Sequence, residues 1–79
     1  MSPTVFRERG YRFLFFSREE TRMHVHVQCP EGEAKYWLEP NVALAENHRL
    51  SRSQLNDIED LIETHYHELT DAWHRHFGR

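Results

Sequence analysis

Seventy-nine residues make one domain, of a size that buries only about 60% of its unfolded surface and keeps only a few kcal/mol of net stability from its core. With 38% hydrophobic and 13% aromatic residues the chain is too apolar to stay disordered, and a formal charge of -3 excludes a wholly basic nucleic-acid binder. Cys29 stands alone, which excludes an internal disulfide, and no apolar run approaches the roughly 18 residues of a membrane span, so a cytosolic protein with no membrane contact is expected. Charge is uneven. Residues 1 to 30 hold five Arg against three Glu, whereas residues 51 to 79 hold three Arg against six acids, which predicts a basic sheet beside an acidic helix.

In chain order, Met1-Ser2-Pro3 is a short lead. Thr4 to Arg7 reads as a first strand, and Glu8-Arg9-Gly10 is its turn, with Gly10 free to take a positive φ. Tyr11 to Phe16 has the period of a strand, with Tyr11, Phe13 and Phe15 on one face and Arg12, Leu14 and Phe16 on the other. Both faces are largely apolar, so this strand lies inside a sheet. Ser17 to Thr21 is a polar connection. A strand from about Arg22 to Cys29 follows, then a Pro30-Glu31-Gly32-Glu33 turn and a strand from Ala34 to Leu38, the two forming a hairpin.

Glu39-Pro40-Asn41 ends that strand, and Val42 to Leu44 is either a short edge strand or a crossing to the helix. Ser51 with Gln54 forms a capping box, and Leu50 with Leu55 a hydrophobic staple, so a helix starts here. Leu55, Ile58, Leu61, Ile62, Leu69, Ala72, Trp73 and Phe77 recur at helical spacing up to Gly78, which predicts one helix over 51–77, roughly 40 Å long. Such a rod overhangs a small sheet, and this favours a homodimer or a partner protein.

The chemistry concentrates in Arg22-Met23-His24-Val25-His26-Val27. On a strand, Met23, Val25 and Val27 point one way and His24 and His26 the other. Two imidazoles on one pleat can share a metal, pass protons near neutral pH or bond to phosphate. A metal needs a third ligand, for which Glu33 or the acids of Glu19-Glu20 are the candidates; no cofactor and no metal is expected. A metal-independent ribonuclease asks for less. His24 and His26 would move the proton of a ribose hydroxyl, with Lys35 and Glu33 beside them and Arg7 and Arg12 binding the nucleic-acid backbone. In the helix, His67, Asp71 and His74 share a face that reads as solvated, while His65 falls on the apolar stripe as a packed or interface histidine.

Pro3-Thr4-Val5-Phe6-Arg7, Gly10-Tyr11-Arg12-Phe13, Ser17, His24-Val25-His26-Val27, Gly32-Glu33-Ala34-Lys35-Tyr36-Trp37-Leu38 and the terminal Ala72-Trp73 with His76-Phe77 together resemble the small bacterial proteins called domain of unknown function 4160. Where many members carry prolines just before the paired histidines, this chain has Thr21-Arg22-Met23. The resemblance implies a bacterial origin and a two-gene setting beside a small protein resembling domain of unknown function 2442, in pairs suspected of being toxin–antitoxin modules.

The expected fold is α+β, an antiparallel sheet of three or four strands packed against one long C-terminal helix. Val5, Phe13, Phe15, Val25, Val27, Tyr36, Leu38, Leu55, Ile58, Ile62, Leu69 and Trp73 form its expected core. The expected function is that of a toxin acting on RNA or a translation target through the His24/His26 face. The alternative is a non-enzymatic module that binds its gene neighbour.

Overall fold

The computed structural model describes residues 4–16 and 21–78. Five antiparallel strands lie in sequence order, β1 (Thr4–Glu8), β2 (Tyr11–Leu14), β3 (His24–Cys29), β4 (Gly32–Trp37) and β5 (Ala43–His48), followed by α1 (Arg52–Thr64) and α2 (Tyr66–Phe77). The fold is α+β, as expected, but the sheet has five strands rather than three or four. The fifth is β5, where Val42 to Leu44 is expected as either a short edge strand or a crossing; it is an edge strand, longer than expected, and its pairing with β4 carries it on to His48.

The turns follow from local chemistry. Glu8 pairs with Tyr11, leaving Arg9 and Gly10 as a two-residue loop with φ of 54° and 82°. Two positive φ values match the right-handed twist of a tight hairpin. At the β3–β4 turn Cys29 pairs with Gly32. A Cβ on Gly32 would run into the His48 carbonyl and the Arg49 side chain, so only glycine lets β5 close against this turn. After β5 the Asn47 amide accepts from the Leu50 N–H (3.0 Å) and donates to the Leu50 carbonyl (3.1 Å), folding the chain towards α1.

The α1 start matches its sequence signature. Ser51 Oγ accepts from the Gln54 N–H (3.1 Å), and the Ser51 N–H donates to Gln54 Oε1 (2.9 Å). Leu50 and Leu55 are both buried. The single long helix does not form. His65, with φ -104° and ψ 20°, ends α1 and begins α2. A straight rod of 27 residues would reach roughly 40 Å, beyond the 33 Å longest extent of the described protein. Broken at His65, both helices contribute buried residues to the same core. Gly78 closes α2 in the left-handed conformation, its N–H donating to the His74 carbonyl (2.8 Å).

The core lies between one sheet face and the helices. Phe13, Phe15, Val25, Val27, Tyr36, Leu38, Leu55, Ile58, Ile62, Leu69 and Trp73 are buried in it, joined by Tyr11, Met23, Ala34, Leu50 and Leu61. Val5, expected there, is only half-buried against its edge. The Tyr36 hydroxyl donates to Glu59 Oε2 (2.9 Å), fastening β4 to α1. Burial, then that bond, raises the Tyr36 pKa, so the phenol keeps its proton.

Both edge strands are bulged. Thr4 pairs with Leu14 and Phe6 with Phe13, so Val5 is the extra residue of β1. Lys35 pairs with Glu46 and Tyr36 with Leu44, so Ala45 is the extra residue of β5. Bulged edges twist away from a partner strand and discourage edge-to-edge pairing.

Candidate functional site at the histidine strand

Cross-strand register places the side chains that share the second face of the sheet. His24 pairs with Trp37, His26 with Leu14 and Lys35, and Gln28 with Arg12 and Glu33. Lys35 also pairs with Glu46, Glu33 with His48, and Arg12 with Arg7. Lys35 therefore stands beside His26. Glu33 does not join them, because it sits a row away opposite Gln28. Arg7 and Arg12 lie in that same outer row, on β1 and β2. The quartet of His24, His26, Lys35 and Glu33 is thus not gathered at one point.

The two histidines differ in access. His24 is fully buried, with 0% exposure, while His26 is half-buried. Three rings surround His24: His26 at 5.2 Å and Trp37 at 5.6 Å, both edge-on, and Trp73 of α2 at 5.2 Å. Its Nδ1–H donates to the Arg22 carbonyl at 2.7 Å, which orients the ring. Phe16 stacks on His26 at 4.0 Å. A proton-transfer group must come within hydrogen-bond reach of the reacting hydroxyl. The His24 ring is enclosed, whereas His26 is half-buried, so the two histidines expected to act together differ in their access to a substrate.

What caps this face is aromatic and cationic. Arg22 lies 4.1 Å and Lys35 4.5 Å from the centre of the Trp37 ring, both within cation–π range. Arg22 is held there, since its Nε donates to the Glu39 carbonyl (3.0 Å). The Glu39 carboxylate in turn accepts from the Met23 N–H (2.8 Å), and the Leu38 N–H donates to the Met23 carbonyl (2.9 Å). Arg12 is oriented by Thr4 Oγ1 (2.7 Å) and Gln28 Oε1 (3.3 Å).

Among the described residues no group of three His, Cys, Asp or Glu side chains is placed to hold a metal ion. Glu19 and Glu20, proposed from sequence as third ligands, lie outside the described residues, as do Met1-Ser2-Pro3 and the Ser17–Glu20 part of the polar connection. His67, Asp71 and His74 are all exposed. No helix of the described residues is long and apolar enough to cross a membrane.

Sequence reasoning missed Trp37 and Trp73 as the walls of the His24 enclosure. The alternation of β4 does put Trp37 on the histidine face, and that was a usable signal. For Trp73 there was none, because its approach to His24 depends on how α2 seats. No curated protein and no solved structure matches the chain. A family model matches residues 10–74, most of the chain and the whole histidine strand, and the protein belongs to the family described as domain of unknown function DUF4160.

Proposed function

We propose that the chain is a non-catalytic interaction module of a toxin–antitoxin-like pair, which binds a small partner protein through the second face of its sheet. The observation that carries this reading is the enclosure of His24. A histidine pair built for proton transfer needs both rings open to substrate, and here one is sealed by Trp37, Trp73 and His26. The pair then serves to shape a surface. Trp and Arg are the residue types that dominate binding hot spots, and Trp37 carries Arg22 and Lys35 on its ring. Side chains already held in place lose little entropy when a partner arrives. Their positive charge suits an acidic partner surface. The bulged edges favour the face over the edges as the place of contact.

The test is expression with and without the adjacent gene product, the small protein resembling domain of unknown function 2442. Harmless expression alone, partner binding by the wild type and by His26→Ala, and loss of binding in Trp37→Ala with Arg22→Ala support the module. Growth arrest by the chain alone, relieved by the neighbour and abolished by His26→Ala, would return the ribonuclease reading with Arg7 and Arg12 as its RNA contacts.

A further inference from the structure

His65 sits between two carboxylates. Its Nε2 lies 2.9 Å from Glu8 Oε1 on β1, and its Nδ1 lies 3.0 Å from Glu68 Oε1 on α2. An ionised carboxylate only accepts, so both contacts are hydrogen bonds only when both ring nitrogens carry protons. In the neutral ring one nitrogen turns a lone pair towards a carboxylate oxygen, and that contact becomes repulsive. The arrangement is therefore satisfied by the imidazolium. Burial pulls the His65 pKa down, but the hydrogen bonds to Glu68 and Glu8, with their charges, outweigh it and raise the value above the usual 6.5. Those two carboxylates are the charges acting on the ring. Its flat side rests on Phe6 at 4.3 Å, which stacks on Phe13 of β2 at 4.3 Å. On the α1 side the His65 backbone N–H donates to the Leu61 carbonyl, which fixes the ring's attachment to the helix layer.

What this contact fastens is β1. No residue of β1 is fully buried, and the bulge at Val5 interrupts its ladder to β2. Beside that ladder, the Phe6 stack, the Val5 packing against the core and the Arg12–Thr4 bond, the Glu8–His65 contact ties the strand directly to the helix junction. A charge-assisted bond is roughly twice as strong as a neutral one. On a strand held so lightly, its loss changes how often the strand opens.

We propose that His65 is a proton-operated pin, which locks edge strand β1 to the α1–α2 junction while the ring carries two protons and loosens it when one leaves. The consequence is a pH-gated edge: when β1 opens, the β2 edge and Phe13 beneath it become accessible. This pin is independent of the interaction face, since Glu8, His65 and Glu68 contribute nothing to the surface around Trp37.

The experiment is an NMR titration of the His65 ring on the full chain, with amide-exchange protection factors of β1 and β3 measured across the same range. The expected result is a His65 midpoint above 6.5 and a severalfold fall in β1 protection through that midpoint, with β3 protection flat. Glu8→Gln keeps an oxygen acceptor but removes the charge, so it should lower the midpoint and erase the β1 step. If Glu8→Gln fails to fold, Glu68→Gln tests the same linkage from the α2 side. A midpoint at or below 6.5, or β1 protection that follows β3 at every pH, overturns the proposal.

Discussion

His24 and His65 are the same side chain put to opposite uses. His24, at the start of β3, is enclosed by aromatic rings and meets a carbonyl that asks it for a single donor. His65, at the helix junction, meets two carboxylates that ask it for two. One is enclosed among rings and the other is placed between two carboxylates. The difference teaches that the partner atoms around an imidazole, rather than its spacing in sequence, decide whether it packs, pairs or reacts.

The most severe way to break the comparison is to open the enclosure. Trp73→Ala removes the ring that touches His24, Phe15 and Phe77 and should cost about 3–5 kcal/mol in urea unfolding. A loss under about 1 kcal/mol would mean that Trp73 is not seated as described. Next comes the contrast within the pair itself. His24→Ala empties a fully buried site and should cost about 2–4 kcal/mol, as for other large buried side chains, whereas His26→Ala should cost about 1 kcal/mol. Equal and negligible costs would make both rings surface groups and revive the catalytic pair.

Ser51→Ala should remove about 1 kcal/mol by leaving the Gln54 N–H without its cap. It is a control, because it weakens α1 without touching either histidine. Arg22→Ala should cost only about 0.5–1 kcal/mol of stability through its lost contact with Trp37, while weakening partner binding by far more. Isothermal titration against the partner separates the two quantities.

The smallest effect on global stability is expected from pH. The folded pKa of His65 is raised, so its stabilisation is complete below the unfolded value of 6.5 and is lost as pH rises through the higher folded value. Urea midpoints of wild type and His65→Gln should therefore differ most on the acid side of 6.5 and converge above the folded pKa. A difference that grows with pH would reverse the assignment.

Local chemistry determined much of this protein. The Arg9-Gly10 turn, the Ser51–Gln54 box, the Leu50–Leu55 staple and the alternation of β3 all act over a few residues, and each is present as its sequence pattern implies. Three things were decided only by tertiary structure. Val42 to Leu44 could have been a short edge strand or a crossing, and Ala43–His48 becomes a full edge strand because β4 offers it a ladder and Gly32 lets it approach. The helix breaks at His65 with no proline or glycine there, where the side chain is tied to Glu8 from 57 residues earlier. His24 leaves the solvent because Trp73, 49 positions along the chain, closes over it when α2 docks. Periodicity assigns a residue to a face, but whether that face is open depends on contacts between elements far apart in sequence, which no local pattern encodes.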